Sequence, residues 1–246
     1  MQQKHCRNKI LICGIHSCRE AVMASSAEIL HVYLAEGKKF PEWVNEIDMN
    51  IISYVTKDYL NRLVKSDNVA HQGIVIEAIA NNFGTIADLK NINCSVAILD
   101  NVSDPHNVGA IIRSAAVFGI RAIITHNRSA CRISETVSKT SSGGLSYVKI
   151  YSVSNIATTI RDLKNYGFWI VALSEKGEKY LHEIDLRGKI CVILGSENTG
   201  VRRLQLANSD FVAKIPTTPH FSTLNVSNAA SITFYEIARQ NKFMME

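Results

Sequence analysis

Prolines and long apolar runs are scarce in this 246-residue sequence. With 4 prolines and 13 glycines, neither a disordered nor a low-complexity segment is expected. No apolar run approaches the roughly 18 residues of a membrane span, and the first residues lack the apolar centre of a secretion signal. These absences predict a globular, cytoplasmic protein with no membrane partner.

The cysteines follow no pattern that indicates a disulfide framework or a metal site. There are six: Cys6, Cys13, Cys18, Cys94, Cys131 and Cys191. His5 and His16 lie near the first three, but the sequence has no C-x-x-C pair and no matched second pair of ligands. Reduced, unpaired thiols and no bound metal are therefore expected.

Net charge is a weak guide to the partner of this protein. The chain carries a formal charge of +5, and residues 1–9 contain Lys4, Arg7 and Lys9 without an acidic residue. A basic arm of this kind is compatible with a polyanionic partner. Ordinary variation among globular proteins explains the charge equally well.

The first 80 residues predict a small α/β unit. Ser17 and Glu20 have the S-x-x-E spacing of a capping box, so a helix is predicted to begin at Ser17. An apolar run covers 9–15, strands are predicted at 29–35, 50–55 and 73–79, and helices at 41–48 and 56–64. Residues 81–93 lose the periodicity and contain clustered Asn, Gly and Asp, so we place a linker there.

From residue 94 to residue 246, strand-like and helix-like segments alternate. Strands are predicted at 95–100, 122–126, 147–153, 168–173, 190–194 and 211–215, and helices at 107–118, 134–140, 154–166, 201–207 and 225–241. Asn107 and Ser154 occupy predicted N-cap positions, and Gly119 and Gly167 follow predicted helix ends. Strands that are apolar on both faces are typical of a mostly parallel sheet covered by helices. The fold class is therefore α/β, and periodicity alone predicts an open, doubly wound sheet, since knots are rare.

Ligands bind at the carboxyl ends of the strands in such sheets, and three loops are unusual there. The first loop, 100–109, leads into a helix whose one charged residue is Arg113. Asn107 can be explained as an N-cap. Arg113 fits a solvent-facing position and a phosphate contact equally well.

The other two loops are rich in glycine and in polar side chains. The second, 195–200, reads GSENTG, and its glycines would let the backbone approach a ligand, although a plain turn is also possible. The third, 215–230, crowds more hydroxyl and amide side chains than N-capping explains, which indicates a polar pocket wall. Neither a Walker loop nor G-x-G-x-x-G occurs, which disfavours an NTPase and a dinucleotide enzyme.

Three segments together resemble the motifs of the SpoU (TrmH-like) family of RNA 2′-O-ribose methyltransferases, in the same order and spacing. They are LDNVSDPHNVGAIIRSAAVFG, VILGSENTGV and IPTTPHFSTLNVSNAASITFYEIARQ. The resemblance covers residues 95–246. GIHSCREAV and the HQG at 71–73 extend it to the front unit, and they are similar to the RlmB branch, which methylates a guanosine ribose in 23S ribosomal RNA.

The resemblance implies a fold, a cofactor and partners. The C-terminal domain would contain a deep trefoil knot, and the front unit would be a ribosomal-protein-like RNA-binding domain. S-adenosylmethionine would be the methyl donor, held through main-chain groups at Gly195, Ile215 and Leu224. The protein would act on RNA as a homodimer that packs through the knotted domains.

The same resemblance implies the catalytic residues Arg113, Asn107, Glu197, Thr223 and Asn225. Arginine is a poor general base because its guanidinium stays protonated. Arg113 is either held neutral by its pocket or keeps its charge and orients an RNA phosphate that receives the proton, and we favour the phosphate. Glu197 would orient Arg113 or nearby amides, Asn107 would shape the first loop, and Asn225 would lie near the methyl donor and the ribose. Many relatives have serine where this chain has Thr223.

Three alternatives stay open at this point. The same chemistry on transfer RNA is the nearest. A catalytically inactive RNA-binding factor in ribosome assembly is the second, and the presence of all the motif residues disfavours it. A Rossmann-type enzyme that acts on a small metabolite is the third, but it would need a glycine-rich first turn.

Overall fold

The computed structural model describes residues 9–23, 27–64, 70–80, 84–126, 134–218, 220 and 223–241. Its N-terminal part contains one four-stranded sheet and two α-helices. The strands are β1 (Lys9–Cys13), β2 (Ala27–Ala35), β3 (Ile52–Val55) and β4 (Ile74–Ala80), and the helices are α1 (Ile15–Met23) and α2 (Lys57–Val64). The order is β1-β4-β2-β3, in which only β2 and β3 run parallel. The helix predicted at 41–48 is a short 3-10 helix, Glu42–Glu46, preceded by Pro41.

The C-terminal part contains a seven-stranded sheet in which every neighbouring pair is parallel. The strands are β5 (Val96–Asp100), β6 (Ala122–His126), β7 (Lys149–Val153), β8 (Trp169–Leu173), β9 (Lys179–Tyr180), β10 (Ile190–Gly195) and β11 (Phe211–Lys214). Their order is β7-β6-β5-β10-β8-β11-β9. The prediction of a largely parallel α/β sheet is confirmed. The two-residue edge strand β9 was not predicted, because two residues carry no periodicity.

Helices cover both faces of this sheet, as the apolar strands require. They are α3 (Pro105–Val117), α4 (Glu135–Thr140), α5 (Ile156–Asn165), α6 (Arg203–Ala207) and α7 (Val226–Gln240). In β5, Ala97 and Leu99 join the core under α3 and α7, whereas Val96 and Ile98 join the core under α5. Successive residues of a strand point to opposite faces, so a buried central strand must be apolar throughout.

Two predicted N-caps of the C-terminal part are wrong. Asp104, not Asn107, caps α3: its carboxylate accepts a hydrogen bond from the His106 amide at 3.0 Å, and Pro105 follows as the first helical residue. Proline suits that position because it lacks an N–H that would otherwise need a partner. The helix therefore begins before Asn107 and leaves the side-chain amide of Asn107 available for other contacts.

The cap predicted at Ser154 is also displaced. Asn155 caps α5 by accepting a hydrogen bond from the Thr158 amide at 3.1 Å. The predicted helix-ending glycines agree with the structure, since Gly119 (φ +75°) and Gly167 (φ +85°) have left-handed backbone conformations just past α3 and α5.

The capping box predicted at Ser17 is wrong as well. Ser17 lies buried inside α1, which begins at Ile15. The Ile15 amide donates instead to the side-chain Oε1 of Gln72, at 2.9 Å. A residue from a distant loop thus satisfies a helix-terminal N–H that a local serine was predicted to satisfy.

Part of the predicted linker has regular structure. A 3-10 helix, Ile86–Asn91, follows Thr85, whose hydroxyl and amide both donate to Asp88 at 2.9 Å. Leu89 of this turn is buried in the core beneath α5. Residues 81–83 of the linker lie outside the described residues.

The described cysteines, Cys13, Cys18, Cys94 and Cys191, form no disulfide. Desolvation raises the pKa of the Cys18, Cys94 and Cys191 thiols. Within the described ranges, no group of three or more His, Cys, Asp or Glu side chains could hold a metal, and no helix is long and apolar enough to cross a membrane. His5, Cys6 and Cys131 lie outside those ranges.

Candidate active site

One asparagine connects the three unusual loops. The Asn107 Nδ2 group donates a short hydrogen bond to Oε1 of Glu197, in the second loop. Oδ1 of Asn107 accepts a hydrogen bond from Asn225 Nδ2, in the third loop, at 3.1 Å. The side-chain amide of Asn107 therefore joins Glu197, 90 positions away in the chain, to Asn225, 118 positions away. Three of the residues proposed from the sequence come together at this point.

Asn225 is fixed from both sides. Its Oδ1 accepts hydrogen bonds from the Ser227 amide at 2.8 Å and the Ser227 hydroxyl at 2.6 Å, so it N-caps α7. Its Nδ2 group is then left to donate to Asn107. Because Oδ1 caps the helix, the Nδ2 group of Asn225 points toward Asn107 in the first loop.

The second loop closes tightly on the end of β10. A β-carbon added to Gly195 would lie 2.0 Å from the carbonyl carbon of Gly200 and 2.1 Å from the nitrogen of Val201, so only glycine fits. Ser196 pairs with Gly200 in an isolated antiparallel bridge, and the Ser196 and Thr199 hydroxyls lie 2.8 Å apart. Glu197 is therefore presented from a small, well-defined loop.

An ion pair with a buried carboxylate joins the start of the first loop to Arg202, which follows the second loop. Asp100, at the end of β5, has no solvent exposure. Its carboxylate accepts hydrogen bonds from the Arg202 backbone amide at 2.9 Å and from Arg202 Nε at 2.7 Å, and Arg202 Nη2 lies 2.5 Å away. The sequence did carry a signal for this pair, since a carboxylate ends the otherwise apolar strand VAILD and needs a buried partner.

Arg113 lies apart from this network. It is exposed on α3, about 9 Å along the helix axis from Asn107. Its Nη1 atom donates to Ser142 Oγ at 3.4 Å. Among the contacts of the described residues, none joins Arg113 to Glu197. Of the two partners considered for Glu197, the structure places it against the amide of Asn107.

The remaining predicted residues border the same strand ends. Ile215 follows β11 and is partly buried, and Thr223 and Leu224 are exposed directly before Asn225. Leu224 is an apolar side chain with 39% exposure beside this polar cluster. Three neighbouring residues of the third loop, Pro219, Phe221 and Ser222, lie outside the described residues.

This arrangement defines a class of protein by its fold. The chain superposes with a TM-score of 0.80 on the SpoU methyltransferase AviRb from Streptomyces viridochromogenes in complex with the cofactor AdoMet, at 18% identity, covering 94% of this chain and 90% of that one. A crystal structure of an RNA 2′-O ribose methyltransferase gives a TM-score of 0.75 at 22% identity, covering 97% and 92%.

The chain belongs to the SpoU rRNA methylase family. The model of that family matches residues 95–235, and a model for RNA 2′-O ribose methyltransferase substrate binding matches residues 11–83. The 23S rRNA (guanosine-2′-O-)-methyltransferase RlmB of Coxiella burnetii is 34% identical over 243 residues, which cover 94% of this chain and 96% of the relative. The family predicted from the three motifs is thereby confirmed.

Proposed function

We propose that this protein transfers the methyl group of S-adenosylmethionine to the 2′-hydroxyl of a guanosine in 23S ribosomal RNA. The observation that carries the proposal is the hydrogen-bonded chain Glu197–Asn107–Asn225, which joins the three family motifs at the carboxyl edge of a parallel sheet. The named activity of the RlmB relative supports the ribosomal target. Such a substrate also favours the predicted cytoplasmic location.

The residues at the strand ends fit an adenosyl group. Gly195 allows the backbone to pack without a side chain, and the side chains of Ile215 and Leu224 offer apolar surface for a purine ring. We assign the binding of the methyl donor to these three residues. S-adenosylmethionine supplies a methyl group that is already activated on a sulfonium, so the protein must chiefly position the ribose hydroxyl and help remove its proton.

Arg113 is the residue that we assign to this proton removal. It is exposed, so a polyanion can reach its guanidinium. We infer that Arg113 keeps its charge and holds an RNA phosphate, which receives the hydroxyl proton. Asn225 and Thr223 would contact the ribose, and Glu197 would hold Asn107 in place.

The knot and the homodimer are part of the same proposal. The strand order supports a threaded chain, because β10 lies between β5 and β8 although β8 precedes it in sequence. A second copy is supported by apolar side chains that remain exposed on α3 and α7, namely Val117 (60%), Ile232 (40%) and Tyr235 (48%). Sedimentation equilibrium should give twice the chain mass, and Val117→Glu should shift it towards one chain mass.

We also propose a separate function for each of three segments of the chain. Residues 1–80 would bind the RNA substrate, 81–93 would connect, and 94–246 would carry the chemistry. The two family-model matches, at 11–83 and 95–235, support this division.

The proposal is tested with purified protein, labelled S-adenosylmethionine and unmodified RNA. We expect label on 23S ribosomal RNA, recovered after digestion as 2′-O-methylguanosine. Label confined to transfer RNA would favour the tRNA enzyme instead. RNA binding without transfer to either RNA would favour the inactive assembly factor.

A further inference from the structure

Helix α1 of the N-terminal part docks on the turn that connects α4 to β7. The Tyr147 hydroxyl donates to Oε2 of Glu20 at 2.5 Å, a bond that raises the pKa of the tyrosine. Gly143, with φ +89°, approaches the same glutamate so closely that an added β-carbon would lie 2.6 Å from its Cβ and Cγ atoms. Glu20 therefore contacts this turn through both its carboxylate and its side-chain stem.

The two surfaces around this contact fit closely. Ser17 and Ala21 of α1 and Ser141 of the turn are all buried, and they line a residual cavity of about 20 Å³. That volume is close to the space of one water molecule. Small side chains thus allow the helix and the turn to approach each other.

The same turn supports Arg113 from the other side. The Ser142 hydroxyl accepts the hydrogen bond from Arg113 Nη1, and Ser142 is held at φ +48°, which is uncommon for a residue other than glycine. An added β-carbon at Gly144 would lie 3.1 Å from the Ile112 oxygen and 3.2 Å from the Arg113 Cα. The turn is therefore packed between Glu20 and the backbone that carries Arg113.

Backbone hydrogen bonds between residues three positions apart connect the turn along its length. The Ser142 amide donates to Lys139 at 3.0 Å, the Gly144 amide to Ser141 at 2.9 Å, and the Ser146 amide to Gly143 at 2.9 Å. We expect a shift at Tyr147 or Gly143 to displace Ser142 and Gly144 as well, because these hydrogen bonds and the packing of the turn connect them.

We propose that Glu20 and Tyr147 are positioning residues, which couple the docking of the RNA-binding part to the placement of Arg113. The inference rests on the proposed function. Residues 1–80 would then have two roles: they would hold the RNA, and they would fix the turn that supports Arg113. Neither residue needs to touch the RNA or the methyl donor.

The test compares Tyr147→Phe, Glu20→Gln and the double variant with two controls. Tyr180→Phe removes a hydroxyl from a tyrosine of strand β9 that is 40% exposed, and Glu178→Gln neutralises an exposed carboxylate just before that strand, so both controls lie outside the RNA-binding part. For each protein we measure the single-turnover rate of methyl transfer, the affinities for RNA and S-adenosylmethionine, and hydrogen exchange of the amides at 140–148.

Tyr147→Phe should lower the transfer rate about tenfold, the scale of one lost hydrogen bond to a charged group. Glu20→Gln keeps an acceptor for the Tyr147 hydroxyl but loses the charge, so its loss should be smaller. The double variant should lose no more than Tyr147→Phe alone, because both changes act on the same contact. Exchange at 140–148 should accelerate in all three, with both affinities and both controls unchanged. A loss confined to RNA affinity, multiplicative losses, or unchanged exchange would overturn the inference.

These readouts separate the inference from the proposed function. If the wild-type protein methylates neither RNA, the proposed function fails, and exchange at 140–148 still reports whether Glu20 and Tyr147 hold the turn. If the wild-type protein is active but the positioning variants match the controls, only the inference fails.

Discussion

The two sheets of this protein differ in where their hydrogen-bonded polar side chains lie. In the mixed four-stranded sheet, polar side chains of the turn before β4 tie its elements together: His71 Nδ1 accepts from the Gly73 amide at 3.0 Å, and its Nε2 lies 2.9 Å from Asn61 Oδ1 in α2. Gln72 caps α1, and its carbonyl accepts from Lys38 at 2.6 Å. The HQG segment, read from the sequence as a family marker, therefore has a structural role inside its own unit.

In the parallel sheet, the polar groups gather at one edge instead. All seven strands point the same way, so loops that are far apart in sequence end beside one another. This geometry brings Asn107, Glu197 and Asn225 together, while the strand interiors stay apolar. Mutations should therefore affect mainly stability in the N-terminal sheet and mainly activity at the edge of the parallel one.

The largest effect is expected at Arg113. Arg113→Ala should lower methyl transfer by at least about a hundredfold, because it removes the charge that we propose orients the RNA phosphate. Binding of S-adenosylmethionine, followed by calorimetry, should be retained. Arg161→Ala, an exposed arginine of α5, serves as the matched control. Wild-type turnover in Arg113→Ala would remove this residue from the mechanism.

Asp100 is an exception to this division. It lies at the carboxyl end of a strand in the parallel sheet, but its substitution should lower stability. Asp100→Ala removes the acceptor of the Arg202 hydrogen bonds and should lower the free energy of unfolding by about 2 kcal/mol, measured by urea denaturation, because the Arg202 side chain that remains is 42% exposed and can be solvated. Asp185→Asn, in an exposed pair with Arg187, should leave the midpoint unchanged. Equal midpoints for Asp100→Ala and wild type would contradict the role of this ion pair.

A smaller effect on activity is expected at Asn107. Asn107→Asp places a second carboxylate against Glu197, so the loops should separate and transfer should fall about tenfold. Combining it with Glu197→Gln restores a donor and an acceptor in reversed order, and should recover activity. Asn165→Asp, at an exposed site in α5, is the control. Failure of the reversed pair to recover would show that Glu197 has a separate role.

The smallest effect is a pH dependence of stability in the N-terminal sheet. Burial, with Lys57 and Lys38 nearby, lowers the pKa of His71, so this histidine is neutral when folded. On acidification the unfolded chain takes up the proton first. The stability that His71 confers is thus complete above pH ~6.5 and is lost as the pH falls below it.

Urea denaturation at several pH values measures this pH dependence of the free energy of unfolding. His71→Gln should be less stable at neutral pH but should lose less on acidification than wild type. His16→Gln, at an exposed site in α1, should retain the wild-type slope. An unchanged slope in His71→Gln would assign the pH dependence to another group.

Sequence patterns predicted the parallel sheet well because its signals are local. The strand at 122–126 is found at those residues, and its run of β-branched residues, AIITH, is sufficient to identify it. Helix starts were less predictable, because Asp104 competes with Asn107, and Gln72 reaches Ile15 from 57 residues away. Motif matching brought Asn107, Glu197 and Asn225 into one site, but it missed the Asp100–Arg202 pair, which no motif had assigned a function.

The central claim is that the polar edge of the parallel sheet carries out ribose methylation of 23S ribosomal RNA. The most direct measurement maps 2′-O-methyl groups in ribosomal and transfer RNA from a strain that lacks this gene, with and without complementation. We predict that one guanosine of 23S RNA loses its methyl group and regains it with the wild-type chain but not with Arg113→Ala. Loss confined to transfer RNA, or no loss at all, would contradict the account.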